Sequence, residues 1–356
     1  MENNKPEELK EYYIAYFDIL GYREYFKQQP DKIPSLLENI HDVISNSKKF
    51  IDMINNSPIL NNIGAIEIKT KIFSDNILMC MEIHSGLMES LRLLTFLKII
   101  SDIQRSFILD YGLFVRGSIV KGRLSFNEFY VFGQGLIDAV EIEETAIYPR
   151  IIISEELVNY FLTNAFLREE EKRKLTDMIS SLQQNEQIRD QEHNFNLEIQ
   201  NDIQLYNSLV IISKLLFFKW KDNNWILSYI NMIEKPSIFQ NIPTDKILDA
   251  IKIFSPTDYD NLSVSNQSYG IDDILEKHKK TVKNQLQKFG KNNDIETGDC
   301  KSAESREKIL KKYIWVMTYH NLMCDLYDHP EHKILSRCNL DVRFLKNTIE
   351  VIDDRS

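Results

Sequence analysis

The chain has 356 residues and a formal net charge of −10, enough for one large domain or a core with an elaborate tail. Hydrophobic residues at 43% against 27% charged exclude a disordered chain over most of the length, and the acidic balance excludes a general nucleic-acid binder, which presents a basic face. Cys80, Cys300, Cys324 and Cys338 lie far apart with no CxxC spacing, and the histidines are equally scattered. Neither a disulfide framework nor a zinc site is expected from them. MENNKPEELKEYY has no apolar signal core and no apolar run approaches a membrane span, so a cytoplasmic protein without membrane contact is expected.

Tyr13–Ile19 (YIAYFDI) is nearly continuous in apolar residues, as in a strand buried on both faces, and Gly21 lets the chain turn after it. Pro34 opens a helical pattern to about Asn55 through Leu36, Leu37, Ile40, Val43 and Ile44. Ala65–Phe73 and Ile77–Ile83 flank Ser74-Asp75-Asn76, which predicts a β-hairpin with Asp75 at its tip. A helix follows from Met88 to Leu109 and ends at Gly112. Leu113–Val120 reads as a strand with a turn at Gly122. Then come Tyr130–Phe132, a helix from Gly135 to Ala146 and the strand Arg150–Ser154. This order, β-α-β-β-α-β and then α-β, is that of an α+β ferredoxin-like core, an antiparallel sheet with helices on one face.

Beyond residue 155 the pattern is mixed. Glu155–Leu167 and Glu169–Leu182 read as helices, and the EEEKRK run at 169–174 as a solvated helix face. Leu216–Trp220 and Trp225–Ile230 form a second hairpin across Lys221-Asp222-Asn223-Asn224. Ser305–Cys324 is a strong helix carrying His320 on its apolar stripe, where a satisfied core histidine is the simpler expectation than a ligand. The division expected is a core over 10–155, followed over 156–356 by a sheet-completing hairpin at about 216–230 and a helical extension.

Asp18 follows an unbroken apolar run in a buried strand, where a carboxylate is costly unless paired or holding a cation. In a ferredoxin-like sheet the first strand and the central hairpin are neighbours, so Asp18 and Asp75 can converge on Mg²⁺ or Mn²⁺. Asp75 taken alone is equally a turn residue. Arg116 keeps two readings, a cation aimed at phosphate or a structural partner of Glu141 or Glu143. Lys121 and Arg123 read as solvated strand-end cations.

Phe17-Asp18-Ile19-Leu20-Gly21-Tyr22 resembles the first metal motif of class III adenylate and guanylate cyclases. Lys69–Leu78 (KTKIFSDNIL) resembles their KxKTIGDxxM hairpin, Arg116–Gly122 (RGSIVKG) their later strand, and Gly133, Ala139, Glu143 and Thr145 the spacing of their following helix. The resemblance covers roughly residues 12–155. It implies two metal ions on Asp18 and Asp75 with the Ile19 backbone, phosphates cradled by Ile19, Leu20, Gly21 and Tyr22, and a base-reading role for Lys71. It also implies a head-to-tail homodimer with its sites at the interface. The family's asparagine and arginine fall on Ile137 and Glu141, and its adenine-reading aspartate on Tyr130, which would cripple an ordinary purine cyclase. The FDILGY, FSDNIL and RGSIVKG segments and the KYIWVMTYHN helix look like the Pycsar antiphage cyclases. These make cyclic UMP or cyclic CMP to activate a separately encoded effector, so the resemblance implies UTP or CTP as substrate. Alternatives are an inactive nucleotide-binding relative, a purine cyclase, or a polymerase-like enzyme making linked nucleotides. The diguanylate hallmark GGDEF is absent.

Overall fold

The structure, a computed structural model, describes residues 8–22, 66–84, 89–165, 216–230, 270–290 and 303–334, with isolated residues between 26 and 52. The helical pattern expected from Pro34 to Asn55 lies largely outside the described residues, and that of Glu169–Leu182 entirely so. The strands are β1 (Lys10–Leu20), β2 (Ile68–Phe73), β3 (Asn76–Glu82), β4 (Phe114–Phe126), β5 (Val131–Phe132), β6 (Ile151–Ile153), β7 (Phe217–Lys219) and β8 (Trp225–Leu227). The longer helices are α1 (Glu89–Tyr111), α2 (Gln134–Thr145), α3 (Glu155–Ala165), α4 (Ile271–Gly290) and α5 (Ala303–Leu326). None of the helices searched among the described residues is long and apolar enough to cross a membrane.

The sheet runs β2-β3-β1-β4-β6-β8-β7, with β5 paired to β4. Its first four strands have the order expected of a ferredoxin-like core and are antiparallel throughout. The antiparallel expectation fails at one pairing, because β6 joins β4 in parallel. The polypeptide between them crosses over as α2, which a parallel pairing requires. The second hairpin extends the sheet, with β8 antiparallel to β6.

The expectation of helices on one face is corrected. Odd-numbered β1 residues (Tyr13, Ala15, Phe17, Ile19) join a core with α1 and α3, whereas Tyr12 and Ile14 pack with Leu78, Val120 and Ala139 of α2 on the opposite face. A third cluster on that second face sets Phe114 and Ile226 against Trp315 and Tyr319 of α5, and continues through Ile274 and Leu275 of α4 to Ile108. The continuous apolar run of β1 gives the reason, since a strand greasy on both faces needs cover on both. At roughly 1.5–3 kcal/mol for each large side chain removed from water, leaving Tyr12, Ile14 and Leu78 bare would be unaffordable.

Gly122 is also not a turn. β4 runs through it, and a Cβ there would sit 2.5 Å from the Cα of Gly135 in α2. The two glycines let helix and strand backbones touch. α4 was not among the expected elements, although Ile271, Ile274, Leu275, Val282 and Leu286 stand at helical spacing.

Candidate functional site

The second face carries apolar clusters under α2 and under α5, and the charged residues lie in the seam between them. Asp18 is the next even-numbered residue of β1 after Tyr16, and its Cα partners are Asn76 on β3 and Arg116 on β4. Its position follows from strand alternation alone, because residues i and i+2 share a face. Asp75 occupies the β2–β3 turn, and its carbonyl accepts the Ile19 amide at 2.9 Å. That bond ties the hairpin tip to the end of β1 and brings the two carboxylate-bearing segments together. The chain then turns at Gly21, whose φ of 81° suits a residue without a Cβ.

Arg116 NH2 lies 2.5 Å from Glu143 Oε1 and 3.6 Å from Asp18 Oδ2. Of the two readings of Arg116, the structure thus forms the Glu143 pair, and Glu141 instead points to solvent. The Tyr16 hydroxyl donates to Asn76 Oδ1 at 2.8 Å. Its pKa is raised by burial and then by the negative charges of Glu143, Asp18 and Asp75, so three carboxylates act on one phenol. Burial raises the Glu143 pKa too, Asp18 adding to the shift and Arg116 opposing it. From α5, Lys312 completes the set. Its pKa is lowered by burial and by Arg116, against the pull of Asp18 and Glu143.

Among the described residues, Asp18, Glu143 and Asp75 all act on Tyr16, whereas two cations, Arg116 and Lys312, stand against Asp18 and Glu143, so positive charge is in deficit there. The donors are all oxygens, the chemistry that suits a hard divalent ion such as Mg²⁺ or Mn²⁺. This donor chemistry fits the divalent ion expected here, and Asp18 and Asp75 are the side chains that could hold it. Of the amides expected to cradle phosphate, that of Ile19 is bonded to the Asp75 carbonyl, which leaves Leu20, Gly21 and Tyr22 for that role.

Lys71 and Tyr130 belong to a second group on the same face. Lys71 Nζ donates to the Glu128 carbonyl and lies 5.9 Å from the Phe126 ring centre. Asn127 Oδ1 accepts the Phe129 and Tyr130 amides at 2.9 Å each, an Asx turn that sets Tyr130 at the surface. Lys121 pairs with Glu11 at 3.2 Å, and Arg123 reaches the Leu9 carbonyl at 3.4 Å. Both sit at the far end of β4 from Asp18. His320 is a bonded core residue, with its Nε2 2.9 Å from the His332 carbonyl. Sequence reasoning missed Tyr16, Asn76 and Lys312. The parity of Tyr16 with Asp18 was available in the sequence, but Lys312 arrives through long-range packing of α5.

No family model matches the chain, and no curated protein matches it. A solved structure that resembles it is the adenylyl cyclase CyaB from P. aeruginosa, at 14% identity and a TM-score of 0.32, covering 42% of this chain and 79% of that one. Similarity at that level decides neither fold nor chemistry, which rest on the residues above.

Proposed function

We propose that this protein is a nucleotidyl cyclase that converts UTP or CTP to its 3′,5′-cyclic monophosphate and pyrophosphate. One observation carries the reading: the hairpin tip bearing Asp75 is bonded to the end of β1 beside Asp18, in a seam where carboxylates outnumber cations. Divalent ions bound there would make the ribose 3′-hydroxyl a better nucleophile and neutralise the departing pyrophosphate. The protein's own part is positioning and charge. Asp18 and Asp75 fix the reacting end of the triphosphate, and the backbone from Leu20 to Tyr22 orients the outer phosphates. Arg116, held in place by Glu143, offers its guanidinium to the α-phosphate region. The 3′-oxygen attacks the α-phosphorus as the bond to the β-bridging oxygen breaks, and the hydroxyl proton is lost to solvent.

Lys71 and Tyr130 form a separate group at the face, consistent with a head-to-tail homodimer in which one copy supplies the metal side and its partner the base contacts. The pyrimidine preference and a role in antiphage signalling through a separately encoded effector rest on the sequence resemblance. A second reading, a nucleotide-binding protein without turnover, is favoured by Ile137 and Glu141. Both are exposed where the family places its ribose-orienting amide and transition-state guanidinium.

Incubation of the full chain with each of the four ribonucleoside triphosphates and Mn²⁺, with products identified by mass spectrometry, tests both. Cyclic UMP or cyclic CMP, absent with Asp18→Asn, supports the cyclase. Nucleotide binding without product from a folded dimer supports the second reading, and a purine cyclic nucleotide keeps the chemistry while removing the pyrimidine assignment.

A further inference from the structure

At the opposite end of the helical layer, Asp272 in the first turn of α4 meets a short 3₁₀ turn, Pro330–His332, that follows α5. The sequence there is His329-Pro330-Glu331-His332. In a 3₁₀ turn residues three apart eclipse one another, so His329 and His332 come to the same side, and Pro330 fixes the entry to the turn. His329 Nδ1 lies 3.1 Å from Asp272 Oδ1 and 3.0 Å from Glu331 Oε1. His332 Nε2 lies 3.0 Å from the same Asp272 oxygen and 3.9 Å from Glu331 Oε1. One ligand atom from each residue falls within 4.8 Å of all the others.

Hydrogen bonding pairs His329 with Glu331 and His332 with Asp272, but it gives no account of the further 3.1 Å approach of His329 to Asp272. One nitrogen of His329 faces two carboxylate oxygens, and a single N–H satisfies only one acceptor well. A cation at the centre satisfies all four groups. Tetrahedral zinc with ligands at about 2.0–2.1 Å places its donors about 3.4 Å apart; the four histidine–carboxylate separations, 3.0 to 3.9 Å, bracket that edge, and all the ligand atoms lie within 4.8 Å of one another. The fifth residue is the telling one. His332 Nδ1, facing away from the cluster, meets Glu276 Oε2 at 3.3 Å. A carboxylate on the far nitrogen is what orients a metal-bound imidazole and raises its basicity.

We propose that Asp272, His329, Glu331 and His332 form a structural zinc site, with Glu276 as the positioning residue for His332. Two imidazoles and two carboxylates in fourfold arrangement favour Zn²⁺ over Mg²⁺ or Ca²⁺, which prefer six or more oxygen donors. Two neutral rings and two carboxylates also balance the ion's charge. The site staples the turn after α5 to the start of α4. The turn is further anchored inward, because the His332 carbonyl bonds the buried His320. This proposal is independent of the cyclase reading.

The test uses the full chain carrying Asp18→Asn and Asp75→Asn, so that the other acidic site does not contribute, with Zn²⁺ alone as probe. Expected are one zinc per chain by elemental analysis after gel filtration and a rise in Tm of roughly 5 °C at a hundredfold excess over Kd, reversed by EDTA. His332→Asn or Asp272→Asn should weaken binding at least a hundredfold and remove the Tm shift. Glu276→Gln should keep the metal at about tenfold or more weaker affinity. Asp272 lies at the surface, so its variant remains informative if His332→Asn fails to fold. Zinc absent at stoichiometric level, or bound equally by the parent and Asp272→Asn, overturns the proposal.

Discussion

Arg116 stands between Glu143 and Asp18, at 2.5 Å and 3.6 Å, so Arg116→Ala leaves two carboxylates facing each other in a partly buried seam. The expected cost is about 2–3 kcal/mol of stability, because breaking a pair strands the remaining charge. Adding Glu143→Gln should recover much of that loss, and urea unfolding of the single and double variants measures the coupling. Asp18→Asn and Asp75→Asn belong to a different class. Each should lower turnover by about a hundredfold or more while the urea midpoint stays within the scatter of the parent. Near-normal turnover in either would remove the metal assignment. Asp18 stands out as a candidate in the sequence because a carboxylate closing the apolar run of YIAYFDI has no cheap structural excuse. Glu143 was visible only as a spacing. Lys312 was not visible at all, since nothing local to KKYIWV announces that it will face Asp18.

The elements were more legible than their arrangement. β1, the Asp75 hairpin, α1, α2 and α5 appear where apolar period and turn chemistry put them. The failures share a cause, which is that a sequence pattern reports burial without naming what does the burying. YIAYFDI called for cover on both faces, yet nothing in it pointed to α2 and α5 as the second layer. Gly122 signalled an unusual backbone position, and a turn and a close helix contact leave the same mark. α4 went unread because charged residues crowd between its apolar positions, as in KHKKTVKNQ. The close-contact account makes its own prediction. Gly122→Ala and Gly135→Ala should each cost about 1–3 kcal/mol, because either methyl forces α2 away from β4. The double variant should cost less than the sum, since one displacement relieves both clashes. If Gly122→Ala is neutral in chemical denaturation, the glycine serves no packing purpose.

Two features concern the molecule as a whole. The helical layer is closed by a buried histidine pair, with His278 Nδ1 3.1 Å from His320 Nδ1 and His278 Nε2 3.0 Å from the Tyr229 hydroxyl. Burial lowers the His320 pKa to about 4 and drives that of His278 well down as well. The unfolded chain, with histidines near pH 6.5, therefore binds more protons than the folded one between about pH 6.5 and 4. Stability is unaffected above that window and falls through it as pH drops, by about 3 kcal/mol from His320 alone. His320→Asn should flatten this limb when urea midpoints are compared at pH 7 and 4.5, and an unchanged slope would place the acid sensitivity elsewhere. The other feature is an apolar surface exposed among the described residues. Phe129 and Phe132 are 78% and 73% exposed around β5, on the segment that carries Tyr130. Neighbouring bare rings suit an interaction surface, and the head-to-tail dimer proposed with the cyclase reading would cover them. Phe132→Asp changes no group of the Asp18 seam but puts a charge into that interface. On that proposal, sedimentation should show the parent as a dimer and Phe132→Asp as a monomer, with turnover falling at least tenfold as the proposed base contacts from the partner are lost. A Phe132→Asp protein that stays dimeric and active would mean that β5 lies outside the interface, and Tyr130 would lose its place opposite the base.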